Sequence, residues 1–191
     1  MMWIAQGLAL LFMKAEIIYG FPNSFRFFGA SNLFGIPFPV VSMFGLFLII
    51  YLVLNYTPFG RFIYYIGANY ESARFSGVPI RKVQIWAYCL CGFLAALSGI
   101  FYISRINAVE AGIGEPLLLP CLAAVTIGGT SLYGGEGGIG GTILGAIIMS
   151  IIINAMNLLS INPYWHQFVI GAIVIISVWA DQFRAMKFQT S

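Results

Sequence analysis

GGIGGTILGAIIMSIIINAMNLLSINPYWHQFVIGAIVIISVWA, residues 137–180, contains no Asp, Glu, Lys or Arg. About 20 predominantly apolar residues cross the hydrocarbon core of a bilayer once. This run is long enough for two crossings, and SINP at 160–163 supplies a turn between them. The rest of the chain agrees: 60% of residues are hydrophobic and 8% charged, and the mean hydropathy is +0.93. A soluble domain carries roughly 25% charged residues. An excess of this size would expose more apolar surface than a soluble monomer tolerates. The expected fold class is therefore all-α, a polytopic transmembrane helical bundle, with residues 1–191 forming one membrane unit.

Hydropathy places apolar helices at about Met1–Met13, Pro39–Tyr56, Gln84–Ile103, Leu117–Gly129, Gly141–Leu159 and Tyr164–Ala180. The fourth is short, with Pro120 inside it and Gly128 and Gly129 ending it. It is expected to be a broken or partly re-entrant helix buried among its neighbours. Residues 58–83 hold Arg61, Arg74, Arg81 and Lys82 against Glu71 alone, which the positive-inside rule assigns to the cytoplasm. Alternation then puts 105–115 outside, 130–140 inside, 160–163 outside and the tail with Arg184 and Lys187 inside. The aromatic, turn-rich stretch from Asn23 to Pro37 is expected to be an external loop at the interface.

Within the basic segment, GANYESARFSGVPIRK at 67–82 has the signals of a short helix with a start and a stop. Asn69 can cap it, Glu71 lies in its first turn and Arg74 in its last. Gly77 suits a left-handed closing residue, and Pro79 prevents continuation. Such a helix is either a rigid handle for a cytoplasmic partner or a connection following the membrane surface. Elsewhere small residues recur on the helices, including the GxxxG pair Gly141 and Gly145, which suits close helix packing within the chain or between two chains. Cys89, Cys91 and Cys121 have no CxxC spacing and no nearby histidine, so they are expected to be inert packing thiols. The formal charge of +3 is too small and too dispersed to indicate a nucleic-acid partner. Gly135, Gly137 and Gly140 match GxGxxG, but no strand precedes them and no acid comes after at the spacing of a dinucleotide site. No protease or esterase motif and no paired intramembrane carboxylates are present. No enzyme activity, cofactor or metal is expected.

Two segments carry a resemblance. GANYESARFSGV is similar to the cytoplasmic segment, approximately GxNxxAARxSGI, of permease subunits of bacterial sugar-type ABC importers. LAAVTIGGTSLYGGEGGIGGTILGAIIMSIIINAMNLL, residues 122–159, resembles the same family's GGTSLxGGxGxxxGTxxGA stretch and the Asn-containing helix after it. The two occur in the family's order, and the resemblance extends over nearly the whole chain from about Trp3. Glu136 stands where the family often has a basic or small residue, and Gln6-Gly7 where it commonly has Arg-Gly.

The resemblance implies a transmembrane subunit forming part of the path for a monosaccharide, in a bacterial plasma (inner) membrane. Its partners would be ATP-binding cassette ATPase subunits, a periplasmic or extracellular sugar-binding protein, a second permease chain and membrane lipid. The absence of GxxxxGK[ST] means that ATP would be hydrolysed on another chain. Carried over by position, Glu71, Ala73, Arg74, Ser76 and Gly77 become candidates for ATPase coupling, as do Thr130, Ser131, Gly134 and Gly135 in the second cytoplasmic segment. Asn154 and Asn157, three apart on one helix, either hydrogen-bond between helices or line a sugar path, since amides both donate to and accept from hydroxyls. His166, beside Trp165 at the external interface, reads as an anchoring residue. The family's permeases are longer at the N-terminus, so the chain is expected to be their C-terminal portion. The rival expectations are a truncated fragment that does not transport and, further off, a secondary transporter.

Overall fold

The computed structural model describes residues 2–14, 16–33, 35–132 and 134–189. Tyr133, inside the expected segment 130–140, Met1 at the start of the first expected span, and Thr190 in the tail lie outside the described residues. The chain is overwhelmingly helical. Among the described residues, three helices are long and apolar enough to cross a membrane: α3 (Phe38–Tyr56), α6 (Ile80–Ile106) and α8 (Ile139–Leu158). Shorter apolar segments occupy Trp3–Met13, Glu115–Ile127 and Tyr164–Trp179, so each of the six expected spans falls on an apolar helix. They lie within α1 (Met2–Met13), a 3₁₀ turn (Glu115–Leu117) leading into α7 (Leu118–Ile127), and α9 (Pro163–Gln189). The remaining elements are α2 (Asn23–Ala30), α4 (Pro58–Ala68), α5 (Tyr70–Phe75) and four two-residue strands, β1 (Ile18–Tyr19), β2 (Asn32–Leu33), β3 (Ile36–Pro37) and β4 (Ala108–Val109).

The chain divides into two compact units, one of residues 1–52 with 84–115 and the other of 53–83 with 116–191. In the first, β1 pairs antiparallel with β4, Ile18 opposite Val109. The Phe21 N–H donates to Asn107 Oδ1 at 3.1 Å. The stretch expected to be an external loop, 23–37, is instead α2 followed by the β2–β3 hairpin. The physical reason is tertiary. Ser104 on α6, 1% exposed, donates its hydroxyl to the Phe25 carbonyl at 2.7 Å. Gly29 presses so closely on the Ser104–Arg105 backbone that a Cβ there would meet the Arg105 nitrogen. Phe27, Phe28 and Phe101 then pack tilted or edge-on around Phe38 at centroid distances of 5.8, 6.1 and 6.2 Å.

The second unit is built on α7, α8 and α9. Its core is Ala123, Ala124, Met149 and Ile170, with Ile127, Ile152, Ile173 and Val174 packed against it. Thr126 Oγ1 and Ser177 Oγ lie 2.8 Å apart, joining α7 to α9. Gly141 and Gly145 serve the packing within the chain: a Cβ on Gly141 would collide with the Gly128 carbonyl oxygen, and one on Gly145 with that of Ala124. Without a hydrophobic force between helices in lipid, such backbone approach, with its Cα–H···O contacts, holds a pair together.

Pro120 does not interrupt α7. It occupies the first turn, where a missing N–H costs nothing. The helix ends where expected: Gly129 is left-handed (φ +80°), its N–H reaches the Thr126 carbonyl, and the Thr130 N–H reaches that of Val125. This pair of bonds caps the last free carbonyls. The cysteines depart from expectation, since Cys89, Cys91 and Cys121 are all exposed on the chain's own surface rather than packed inside it.

Candidate functional site

The site begins at Thr57, where α3 ends and α4 starts. The Thr57 hydroxyl donates to the Val53 carbonyl at 2.6 Å and accepts from the Gly60 N–H at 3.4 Å. Pro58 comes next, at the first helical position, where its fixed φ suits helix initiation. Gly60 is buried against the Leu54 backbone, closer than any side chain would permit. The result is a sharp corner that launches α4 over residues 58–68, so most of the basic segment between the two spans is helical.

One residue separates α4 from α5. Asn69 closes the first helix and caps the second, its Oδ1 accepting from the Ser72 N–H at 3.0 Å. Glu71 in the first turn and Arg74 in the last complement the helix dipole. The Gly77 N–H bonds the Arg74 carbonyl and the Val78 N–H that of Ala73, with Gly77 at φ +76°. Start and stop are those expected from residues 67–79. Ala73, 1% exposed, is the side chain by which α5 is seated, while Glu71, Arg74, Ser76 and Gly77 are exposed. Phe75 is 88% exposed, an apolar ring held out at the end of this short helix.

The other candidate segment reaches the same place from far along the chain. Between Thr130 and Gly138 the Ser131 N–H bonds the Glu136 carbonyl at 3.1 Å, and the Gly134 N–H bonds that of Ser131 at 3.3 Å. Gly134, Gly135 and Gly137 all have positive φ. This tight path lays Gly134 and Gly135 on the end of α4. A Cβ on Gly134 would stand 3.1 Å from the Gly67 Cα, and one on Gly135 2.9 Å from the Ala68 Cα. Tyr64 donates its hydroxyl to the Gly137 carbonyl at 3.0 Å. A cleft of about 360 Å³ opens at this junction, lined by Tyr64, Gly67, Thr130, Gly135 and Thr142 among others. Gly134 and Gly135 are thereby brought up against Gly67 and Ala68, directly before Asn69 and α5, and Thr130 and Ser131 line the cleft beside them.

Sequence reasoning missed Tyr64 and Gly67. The available signal was their spacing: three apart, they share one face at the end of α4. Asn154 and Asn157 are not part of this junction. Both are exposed on α8, away from the buried side of Met149 and Met156, and among the described residues neither makes a bond between helices. His166 is half-buried, and its Nε2 is shielded from solvent with no hydrogen-bond partner among the described residues. Among the described residues no group of three or more His, Cys, Asp or Glu stands together.

The ribose import permease protein RbsC of Bacillus subtilis (strain 168) is 37% identical over 183 residues, covering 95% of this chain and 57% of that protein. RbsC of Escherichia coli (strain K12) is 35% identical over 185 residues, 95% of this chain and 58% of that protein. The xylose transport system permease protein XylH of the same strain is 37% identical over 147 residues, 77% of this chain and 37% of that protein. The chain thus spans somewhat over half the length of the ribose permeases it matches. No solved structure matches it significantly. The family described as "Branched-chain amino acid transport system / permease component" matches residues 1–178. With its apolar helices this makes the chain a multi-pass membrane protein, and it belongs to that permease family.

Proposed function

We propose that the chain forms part of the translocation pathway of an ATP-binding cassette importer for a monosaccharide in a bacterial plasma membrane. In this reading α5 and the 130–138 loop are the joint contact for separate ATPase subunits. A sugar-binding protein delivers substrate from the opposite side, and a second permease chain completes the path. The observation that carries the reading is the junction of Gly67 and Ala68 with Gly134 and Gly135. Two segments far apart in sequence form one exposed, capped platform, and the second segment continues directly into α8. A push on α5 would thus reach a membrane helix through backbone contacts that leave no room for slack. Switching between inward and outward arrangements requires such packed, bistable contacts rather than soft ones.

A monosaccharide is favoured over an amino acid because ribose and xylose permeases are among the relatives that match over most of the chain. The chain itself performs no covalent chemistry in this scheme. The test is to pull the tagged chain from its own membranes and ask whether an ATP-binding cassette ATPase accompanies it. Charge reversal of both exposed ions, Glu71→Arg with Arg74→Glu, is expected to release that ATPase while leaving membrane insertion intact. Retention of the ATPase would remove α5 from the contact. In cells, loss of the chain is expected to lower uptake of labelled ribose or xylose and to spare leucine. The reverse pattern would move the substrate class to amino acids.

A further inference from the structure

A second concave feature lies beside α5, at the start of α6. It is a recess of about 570 Å³ lined by Tyr70, Arg74, Val78, Pro79, Ile80, Arg81 and Lys82. Three of its walls are cations, and no carboxylate among the described residues lies within ion-pair distance of Arg74, Arg81 or Lys82. Arg81 and Lys82 also break a local rule. They stand in the first turn of a 27-residue helix that has no acidic residue there, although the helix dipole favours anions at that end. The backbone bonds of this turn run from the Ile80 N–H to the Val78 carbonyl and from the Val83 N–H to that of Pro79. Among the described residues the N–H groups of Arg81 and Lys82 are left without acceptors. Violations of local preference are expected where something outside the chain compensates for them.

We propose that this recess binds the phosphate-bearing headgroup of an anionic membrane lipid. Phosphate oxygens accept from guanidinium, ammonium, phenol and backbone N–H alike, and the recess presents all four. A lipid is favoured over a soluble phosphate by the residues immediately beyond the recess. α6 is long and apolar enough to cross a membrane, and Ile85 and Trp86 are exposed one turn beyond Arg81 and Lys82. The cations therefore stand at headgroup depth, with an apolar surface beneath them for acyl chains and an interfacial tryptophan at the boundary. The recess shares Arg74 with the proposed ATPase contact, so the test varies only Arg81 and Lys82, which lie outside α5.

The test uses the purified chain in detergent, titrated with phosphatidylglycerol or phosphatidylcholine, with bound lipids counted by native mass spectrometry. The expected result is a preference for phosphatidylglycerol of about tenfold, abolished by Arg81→Gln with Lys82→Gln. The charge-conserving pair Arg81→Lys with Lys82→Arg should retain it, which separates charge from misfolding. Arg61→Gln, a cation of the same segment outside the recess, should leave it unchanged. Equal loss in Arg61→Gln, or full retention in the double glutamine variant, would show a diffuse surface attraction and overturn the site. Displacement of the lipid by millimolar inorganic phosphate would overturn the lipid assignment in favour of a soluble phosphorylated ligand.

Discussion

Gly67 and Gly135 form the close approach that joins α4 to the 130–138 loop. A Cβ on Gly67 would meet the Gly135 nitrogen, and Gly135 is additionally left-handed at φ +80°. Gly67→Val is therefore expected to pry the 130–138 loop from α4 at a cost of about 1–3 kcal/mol, the usual range for overpacking. The readout is amide hydrogen exchange, which should accelerate in 131–138 and remain unchanged in α9. Unaltered protection of the loop would show that the approach is not held tightly. Ser104 offers a parallel in the other unit. Removing its hydroxyl with Ser104→Ala leaves the Phe25 carbonyl without the 2.7 Å bond in a buried setting. The expected loss is about 1–3 kcal/mol, seen as a lower melting temperature in detergent. A melting temperature equal to the parent's would mean that the carbonyl finds another donor.

Helix ends decide where the elements begin and stop, and one ending device recurs. α5 closes at Gly77, α7 at Gly129 and α8 at Ser160, each residue left-handed with the same pair of backward bonds. Ser160 is the exception to the glycine preference, at φ +52° and exposed. Since an L side chain is disfavoured in that conformation, Ser160→Gly is expected to stabilise the protein by about 1 kcal/mol. A thermal shift upward in detergent checks this, and a shift downward would show that the serine side chain contributes something the backbone argument omits. At the opposite kind of end, Asn69→Ala removes the cap of α5, worth about 1 kcal/mol. In a helix of only 6 residues that loss should raise amide exchange across 70–75 several-fold. Exchange as slow as the parent's would mean that burial of Ala73, rather than the cap, holds α5 in place.

Membrane orientation belongs to the chain taken together. α6 contains 27 residues, about 40 Å at 1.5 Å per residue, more than the hydrocarbon core requires. Its two ends carry Ser76 and Ala108 a few residues beyond them. The positive-inside rule assigns the basic residues of 58–83 to the cytoplasm, so a single cysteine at Ser76 is expected to react from the cytoplasm alone and one at Ala108 from outside alone. Cys89, Cys91 and Cys121 are exposed and must first be replaced. Labelling of Ser76 from outside would invert the arrangement. The large exposed apolar surface of α3 and α6 fits the same picture, because lipid, not water, is the medium that helices of this length and apolarity face in a membrane.

The membrane class, the positions of the apolar helices, the capped helix at 69–77 and the ending of α7 at Gly128 and Gly129 were all legible in residues alone. Each depends on the local chain: hydropathy sums over a span, and a cap involves residues three to five apart. The α2 helix and its hairpin were not legible, because what folds 23–37 is Ser104 and Phe101 on a helix some seventy residues later. The exposure of Asn154 and Asn157 depends on which side of α8 packs on Ala124, a choice no local pattern makes. The junction of Gly67 with Gly134 and Gly135 belongs with these. Glycine at each position announced only that a backbone could pass closely there. Which backbone passes is settled by the packing of α7 on α8, which carries the 130–138 loop back to the end of α4.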